Sequence, residues 1–303
     1  MNHEGPPGAK SQGTPGTVRG TSSRETRATS HPNAPESASA TPVVVKLGGR
    51  SLEAPGALPA FAAEAARLSG PLVFVHGGGA EVSHWLERLS IAPRFENGLR
   101  VTDAATLEVV AAVLAGLANK RLVASLRAAG VDAVGLSALD GGTLTLTRHP
   151  EADSLGEVGV PSGGDATLLR SLLAQGRVPV LASLGMSADG ALLNVNADDA
   201  AASIASLLGA SHLLLLSDTP GVRIEGAIVE SADRAGLAAL RAHPDITGGM
   251  APKLAACAAA LTGGVARVTL SRWESEGDLE RLLAGGAGGS VFTLAASPLE
   301  VPS

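Results

Sequence analysis

The chain contains few of the residues that mark secreted, nucleic-acid-binding or membrane proteins. Its 303 residues include a single cysteine, Cys257, which excludes an internal disulfide and fits a reducing compartment. Tyrosine is absent and aromatic residues make up only 2% of the chain, so Ala, Leu and Val must build the core. A net charge of −6 argues against a nucleic-acid or membrane-surface binder, and no apolar run reaches the length of a membrane span. We therefore expect a cytoplasmic protein with no nucleic-acid or membrane partner.

Several catalytic and cofactor motifs are missing as well. There is no G-x-x-x-x-G-K-[ST] P-loop, no G-x-G-x-x-G dinucleotide fingerprint and no zinc-ligand spacing of cysteine and histidine. The sequence His-Gly-Gly-Gly at 76–79 also occurs as the oxyanion-hole motif of lipases and esterases. That interpretation requires a G-x-S-x-G elbow, which the chain lacks.

The chain does contain a regular alternation of apolar strands and helices, which follows a different N-terminal segment. Residues 1–41 are rich in Ser, Thr, Pro and Gly without apolar periodicity, which predicts a disordered tail. Residues 42–297 predict an α/β fold with an open, mainly parallel central sheet sandwiched between helices. The predicted strands are Val43–Leu47, Leu72–Val75, Val131–Leu136, Val178–Ala182, Ala191–Val195, His212–Leu216, Val265–Leu270 and Ser290–Leu294, with hairpin arms at Thr143–Thr147 and Gly156–Val160. The predicted helices are Leu58–Leu68, Ala80–Leu89, Asp103–Ala129, Leu168–Ala174, Ala197–Leu208, Ala235–Arg241, Lys253–Leu261 and Leu279–Leu283.

Two of the predicted strands run directly into glycines. Val43–Leu47 precedes Gly48 and Gly49, and Leu72–Val75 leads through His76 into three glycines. Consecutive glycines leave bare backbone N–H groups that suit an anion. Ligands of open α/β sheets bind outside the carboxyl ends of the strands. A tight strand-to-helix turn without a ligand is the alternative interpretation.

Lysine is scarce, because arginine supplies most of the positive charge and only four lysines occur. Lys46 ends a buried strand, where a lysine is costly unless an anion meets it. Lys253 lies near the start of a predicted helix, after a glycine pair. An ammonium on a flexible stem is a good partner for phosphate oxygens. The alternatives are a Lys46 side chain that extends to solvent at the sheet edge and a Lys253 side chain on a solvated helix surface.

Seven segments, taken in order, resemble those of the N-acetylglutamate kinases, a branch of the amino acid kinase superfamily. The resemblance runs from about Val43 to Leu294. The segments at 98–102 and 194–198 point most narrowly to this branch, because the others are shared more widely in the superfamily. The segments are Lys46–Gly49, His76–Gly79, Gly98–Thr102, Asn119–Lys120, Asn194–Asp198, Ser217–Val222 and Gly248–Lys253.

The resemblance implies an activity, a fold and a division of the chain. The activity is transfer of the γ-phosphoryl group of MgATP to the side-chain carboxylate of N-acetyl-L-glutamate, which makes an acyl phosphate for arginine biosynthesis. Because a carboxylate is already ionised at neutral pH, no general base is required, and catalysis should consist of positioning and charge stabilisation. Residues 42–208 would form an acetylglutamate-binding lobe and 209–297 a nucleotide-binding lobe. Mg²⁺ should arrive on ATP and not at a dedicated protein metal site.

The resemblance also implies roles for individual residues. Lys46 and Lys253 would stabilise the transferring phosphoryl group, Asp198 would orient both lysines, and the Gly49 amide would contact phosphoryl oxygens. Substrate binding falls to Gly78, Gly79, Arg100 and Asn194, of which Arg100 and Asn194 would hold the α-carboxylate. ATP binding falls to Gly48, Asp218, Thr219, Pro220, Gly221, Val222, Arg223, Asp245, Ile246 and Thr247.

Each key side chain also has a simpler interpretation. Arg100 could form an exposed salt bridge, Asn194 could be a turn residue, and Asp198 could serve the positive end of a helix. The prolines of the tail interrupt any helix of the kind that links dimers in arginine-inhibited members of the family. We therefore expect a homodimer through Asp103–Ala129 without strong arginine feedback. The alternative functions are a kinase for a carrier-linked aminoadipate or glutamate, and a nucleotide-binding regulator without turnover.

Overall fold

The computed structural model describes residues 41–48, 52 and 54–294. Residues 1–40 of the tail predicted over 1–41 and the predicted site residue Gly49 lie outside them. The strands of the described part are β1 (Val43–Leu47), β2 (Leu72–His76), β3 (Phe95–Glu96), β4 (Leu99–Arg100), β5 (Ala133–Ser137), β6 (Thr145–Arg148), β7 (Val158–Gly163), β8 (Val178–Ala182), β9 (Leu184–Ser187), β10 (Leu192–Val195), β11 (His212–Leu216), β12 (Arg223–Ile224), β13 (Ala227–Ile228), β14 (Ser231–Asp233), β15 (Arg267–Ser271) and β16 (Ser290–Thr293).

The helices alternate with these strands. They are α1 (Ala57–Ala65), α2 (Gly79–Arg88), α3 (Ala104–Ala111), α4 (Asn119–Ala128), α5 (Ala152–Leu155), α6 (Thr167–Ala174), α7 (Ala197–Leu208), α8 (Arg234–Arg241), α9 (Met250–Thr262) and α10 (Asp278–Leu283). A π-helical segment, Ala112–Ala118, joins α3 to α4.

The central sheet has the strand order β14-β16-β15-β11-β1-β2-β8-β5. The six strands from β15 to β5 are parallel, whereas β16 runs antiparallel to β15. The predicted α/β fold with a mainly parallel sheet is therefore confirmed. The division into two lobes stays a prediction.

Helices cover both faces of this sheet because its strands are apolar on both sides. Alternate residues of a strand point to opposite faces. Val44 packs in a core cluster with residues of α7 and α9, whereas Val45 and Leu47 pack in a second cluster with α1, α4 and α10. The same alternation places Lys46 on the face that α7 and α9 cover.

Two smaller sheets lie apart from the central one. In the hairpin β3–β4, Asn97 and Gly98 have φ values of 49° and 83°, the left-handed conformation that the Asn-Gly turn signal predicts. The strands β6, β7, β9 and β10 pair in a closed ring, in which β6 and β7 are antiparallel, as predicted for the hairpin arms. Strand β9 was not predicted.

The long helix predicted over Asp103–Ala129 is interrupted by the π-helical segment. Its ends are as expected: Asp103 caps α3 by accepting a hydrogen bond from the Thr106 N–H, and Gly130 follows α4 with a φ of 95°. The expectation that no apolar segment is long enough to span a membrane was wrong. By length and composition alone Ala104–Ala128 qualifies, because few charged residues interrupt it, and 39% of its apolar window is buried.

The other element predictions hold with small shifts. The bounds of β8, α7 and β11 are those predicted, and α7 ends at Gly209, whose φ is 64°. The predicted helix Leu58–Leu68 begins and ends earlier, as α1. The short strands β12, β13 and β14 were not predicted because two or three residues give no periodicity.

Candidate active site

A cavity of about 240 Å³ lies beyond the carboxyl ends of β1 and β2. Parallel strands end together at one edge of the sheet, which is where ligands of α/β folds bind. The residues that line the cavity are Lys46, Gly48, Gly77, Gly78, Gly79, Val82, Phe95, Gly98, Leu99, Arg100, Val110, Leu114, Val158, Ser183, Asn194, Val195, Asn196, Ala197, Asp198 and Lys253. The predicted residues Lys46, Gly48, Gly78, Gly79, Arg100, Asn194, Asp198 and Lys253 are all among them.

Two lysines meet one carboxylate at the base of the cavity. Lys46 Nζ lies 2.7 Å from Asp198 Oδ1, and Lys253 Nζ lies 3.0 Å from Asp198 Oδ2. The side chains of Lys46 and Asp198 are 6% and 5% exposed, and that of Lys253 is 22% exposed. Three elements bring them together: Lys46 is on β1, Asp198 is in the first turn of α7, and Lys253 is in the first turn of α9. Lys253 therefore does not lie on a solvated helix surface, and Asp198 does more than serve a helix terminus.

Asp198 is ionised in this arrangement. Burial alone would raise the pKa of its carboxyl group, but the charges of Lys46 and Lys253 and their hydrogen bonds outweigh burial and lower it. Asn196 caps α7 by accepting hydrogen bonds from the Asp198 and Asp199 N–H groups, which fixes the start of the helix. The three groups together carry one net positive charge into the cavity.

The glycines of the site are required by close contacts. A Cβ at Gly48 would lie 2.0 Å from Lys46 Nζ, so any side chain there would displace the ammonium. A Cβ at Gly78 would lie 2.7 Å from Leu114 Cδ2 of the π-helical segment. At Gly79, the first residue of α2, the space is open. The backbone of this loop therefore faces the cavity. It packs against Leu114 at Gly78 and has open space beside it at Gly79.

Arg100 is buried and has no carboxylate partner within the described part of the chain. It is 8% exposed, and its Nη2 donates to Gly79 O at 2.7 Å and to Ser83 Oγ at 2.9 Å. Its guanidinium carbon lies 4.6 Å from the centre of the Phe95 ring. Nη1 is buried without a hydrogen-bond partner. A buried, unsatisfied cationic donor needs an anion, so Arg100 is not the exposed salt-bridge residue of the alternative interpretation.

Asn194 lies on β10 beside the same hairpin. Its Nδ2 donates to Thr102 Oγ1 at 3.1 Å, and Thr102 Oγ1 donates to Arg100 O at 2.8 Å. Asn194 is therefore part of a hydrogen-bonded chain that reaches Arg100, and it is not simply a turn residue before α7.

The two segments predicted to bind a nucleotide lie near each other but do not line the cavity. Residues 218–223 follow β11, and the Val222 N–H donates to Ser290 Oγ at 2.8 Å. Asp245 Oδ2 accepts a hydrogen bond from the Glu225 N–H at 2.7 Å, which ties the second segment to the hairpin β12–β13. None of the predicted nucleotide residues Asp218, Thr219, Pro220, Gly221, Val222, Arg223, Asp245, Ile246 and Thr247 lines the cavity. Gly221 and Val222 are buried, whereas Asp218, Arg223 and Asp245 are exposed.

No cluster of three or more potential metal ligands occurs among the described residues. Both carboxylate oxygens of Asp198 are engaged by ammonium groups, so this residue does not fit a metal.

Sequence reasoning missed two buried residues behind the glycine loop. His76 Nε2 accepts a hydrogen bond from Asn119 Nδ2 at 3.0 Å, and His76 Nδ1 lies 2.9 Å from Gly77 O. His76 was interpreted only as part of its motif, and Asn119 only as part of the resemblance. The available signal was an asparagine within an apolar helical run.

Comparison with known proteins defines the class of the chain. The sequence profile of the amino acid kinase family matches residues 41–270. The chain belongs to the amino acid kinase family.

Curated relatives narrow the class. An acetylglutamate kinase of Methanopyrus kandleri is 42% identical in an alignment 259 residues long that covers 80% of this chain and 97% of that protein. An acetylglutamate kinase of Roseiflexus sp. is 41% identical in an alignment 235 residues long that covers 75% of this chain and 88% of that protein.

Solved structures agree with the fold. N-acetylglutamate synthase from Neisseria gonorrhoeae, complexed with coenzyme A and N-acetyl-glutamate, superposes with a TM-score of 0.73 at 28% identity. The match covers 85% of this chain and 60% of that chain. Carbamate kinase from Giardia lamblia bound to AMP-PNP has a TM-score of 0.65 at 13% identity over 86% of this chain and all of that chain, which shows the fold alone.

Proposed function

We propose that the chain transfers the γ-phosphoryl group of ATP to the side-chain carboxylate of N-acetyl-L-glutamate. The product is the acyl phosphate N-acetyl-L-glutamyl 5-phosphate, the second step of arginine biosynthesis. The observation that carries the proposal is one cavity that holds two lysines joined by a buried aspartate and an arginine whose Nη1 has no hydrogen-bond partner. The curated relatives support the choice of acceptor.

Charge stabilisation is the main task of such a site, because both reactants are anions. Lys46 and Lys253 face the transferring phosphoryl group and neutralise the charge that it shares with the attacking and leaving oxygens. Asp198 keeps both ammonium groups in place. The amides at the carboxyl ends of β1 and β2, those of Gly48 and Gly78, donate to phosphoryl oxygens. For Gly49 the same role follows from the sequence resemblance alone.

The free guanidinium edge of Arg100 receives the α-carboxylate of the substrate. Its Nη2 hydrogens are used by Gly79 O and Ser83 Oγ, but its Nη1 is buried and unsatisfied in the cavity and can donate a charge-assisted hydrogen bond to a carboxylate oxygen. Asn194 lies beside it and donates to the same end of the substrate. The Gly79 amide at the start of α2 adds a donor and the positive end of a helix.

ATP binds beside residues 218–223 and 245–247. Residues 218–223 follow β11, and residues 245–247 precede α9, the helix that carries Lys253. A nucleotide bound to both segments therefore directs its γ-phosphate at the lysines. Mg²⁺ arrives on the nucleotide and retains several waters.

A hydroxamate assay for acyl phosphate tests the activity. We expect product with ATP and N-acetylglutamate, and much less with glutamate, aspartate or aminoadipate. Because free glutamate carries a charged ammonium in place of the acetamide, it presents a cation to a cavity that already holds positive charge. An assay with no product from N-acetylglutamate, or with aminoadipate preferred, refutes the proposal.

The assembly is a homodimer that contacts its second copy through Asp103–Ala129, in the cytoplasm and without strong inhibition by arginine. This helical run is apolar and leaves Leu117 39% exposed, and a second copy would cover that surface. A hexamer in light scattering, or half-inhibition of the kinase by micromolar arginine, contradicts this arrangement.

A further inference from the structure

A buried polar network lies directly behind the glycine loop of the site. Asn119 is fully buried, and its Nδ2, which carries two hydrogens, lies within hydrogen-bond distance of three acceptors: His76 Nε2 at 3.0 Å, Leu136 O at 3.1 Å and Val180 O at 2.9 Å. Three acceptors around one amide nitrogen fix which way the amide points, because the reverse orientation would place its oxygen against two carbonyls. Lys120 Nζ donates to Asn119 Oδ1 at 3.0 Å and holds the other end.

This orientation decides the protonation of His76. The Gly77 carbonyl oxygen can only accept, so its contact with Nδ1 requires a proton on Nδ1, and Nε2 faces an amide nitrogen that can only donate, so Nε2 carries none. Nδ1 then donates to Gly77 O at 2.9 Å. Burial lowers the pKa of His76, and the Lys120 charge lowers it further, against the raising effect of the Gly77 bond. The ring is therefore neutral.

The bond to Gly77 O fixes a peptide unit of the loop. In a trans peptide the C=O and the next N–H point in opposite directions. When Gly77 O points back to the buried His76 ring, the Gly78 N–H points away from it, toward the cavity that Gly77 and Gly78 line.

The loop is held from other sides as well. A Cβ at Gly77 would lie 3.3 Å from Ala197 Cβ, and Leu114 of the π-helical segment packs against Gly78. Asn119 follows that segment immediately. π-helical insertions often occur at functional sites, and this one places Leu114 against the loop and Asn119 against His76 behind it.

We propose that Asn119 and His76 are positioning residues for phosphoryl transfer: Asn119 holds the Nδ1-protonated ring, and the ring aims the Gly78 N–H at the transferring group. The inference rests on the proposed function, but the state of the ring can be measured without activity. A donor that is aimed before the reaction stabilises charge as it develops, so its loss lowers kcat more than it changes KM.

Two substitutions of His76 separate positioning from packing. His76→Asn keeps a donor near the Nδ1 position but removes more volume, whereas His76→Gln keeps more of the volume, places its amide near Nε2 and loses the bond to Gly77; a packing effect alone would therefore harm His76→Asn more. We expect kcat of His76→Gln to fall about 10- to 100-fold with KM for both substrates within about threefold, in the range below the loss of a whole oxyanion donor. His76→Asn should stay within about fivefold of the wild-type kcat. Equal losses in the two variants, or an effect confined to KM, overturn the proposal.

Imidazole ¹⁵N NMR of the wild-type enzyme provides the readout independent of turnover. The His76 signal, assigned in the labelled wild-type protein by correlation of the ring to its own backbone amide, should show Nδ1 protonated and Nε2 unprotonated from pH 6 to 8. A ring protonated on Nε2, or one that becomes doubly protonated in this range, overturns the proposal even if the variants do not fold. If the wild-type enzyme makes no acyl phosphate, the proposed function fails while this measurement still decides the network.

Discussion

Asp198 is a buried charge that its two lysine partners make tolerable. Removing one member of a buried ion pair leaves the others uncompensated, at a cost of about 3–5 kcal/mol. In Asp198→Asn, Lys46 and Lys253 repel each other and leave their positions. We expect kcat in the hydroxamate assay to fall at least about 100-fold, by analogy with loss of an oxyanion donor, with a lower midpoint of thermal unfolding.

Asp199 provides a matched control for that experiment. It is the next residue of α7 and forms no ion pair with either lysine. Asp199→Asn should keep kcat within about threefold of wild type. Equal losses of activity in the two variants would show that the start of α7, and not the carboxylate between the lysines, is what matters.

His212 at the start of β11 makes stability depend on pH. It is 6% exposed, it contacts Thr269 Oγ1 at 2.8 Å, and burial with the Arg267 charge lowers its pKa to about 4. Below pH 6.5 the His212 imidazole is protonated in the unfolded chain but stays neutral in the folded protein. The contribution of His212 to the free energy of unfolding is therefore complete above pH 6.5, and it falls by up to about 3 kcal/mol as the pH drops toward 4.

Urea unfolding of His212→Gln and wild type at pH 7.5 and 4.5 measures this effect. The stability advantage of the wild type should shrink by about 2–3 kcal/mol at the lower pH, while His84→Gln, at an exposed position, should show no such change. An advantage that is the same at both pH values would contradict the assignment.

At the scale of elements, a buried carboxylate joins α1 to α10. Glu64 is fully buried; its Oε2 accepts from Trp273 Nε1 at 2.8 Å and its Oε1 from the Glu280 N–H at 3.0 Å. Trp273→Phe leaves Oε2 without a donor. We expect about 1–3 kcal/mol less stability by urea unfolding followed by circular dichroism.

Trp85→Phe is the control for that variant, because Trp85 is only partly buried and stacks on Arg88. A loss under about 0.5 kcal/mol is expected there, as for most surface changes. If both tryptophan variants lost the same stability, aromatic packing and not the bond to Glu64 would explain the effect.

The helices and strands whose bounds were predicted well are those with a continuous apolar run or clear boundary residues in the sequence. Continuous apolar runs such as His212–Leu216 read as buried parallel strands, and Asn196 and Gly209 bound α7 at both ends. The π-helical segment could not be predicted, because Ala112–Ala118 is apolar on all sides and its sequence therefore has no periodicity that distinguishes a π-helix from an α-helix. Strand β9 lies one residue after β8, so the chain there resembles a single strand end.

The site was predictable only in part for a similar reason. The carboxyl-end rule places Lys46 beside the glycine loop, but Asp198 and Lys253 come from elements more than 150 residues away in sequence. Their meeting at 2.7 and 3.0 Å depends on how α7 and α9 cover one face of the sheet. The hydrogen bond between Asn119 and His76 depends on the direction in which the π-helical segment turns the Asn119 side chain, and no local sequence pattern predicts that direction.

For the whole molecule, the surface of the run Ala104–Ala128 predicts the oligomeric state. Light scattering should give about twice the chain mass of 30.1 kDa, and Leu117→Glu should give a monomer, because a buried unpaired carboxylate opposes association. Leu192→Glu, at a leucine of similar exposure on β10, should remain dimeric. A wild-type monomer, or two variants that both dissociate, would contradict the proposed contact.

The hydrogen bond from the Val222 N–H to Ser290 Oγ makes two distant parts of the chain thermodynamically linked. Ser290 is fully buried and begins β16, and it holds the loop proposed to bind ATP. By reciprocity, if order in β16 favours nucleotide binding at this loop, a bound nucleotide favours order in β16 by the same coupling free energy. Amide exchange at Val291 and Phe292 should therefore slow as ATP is added.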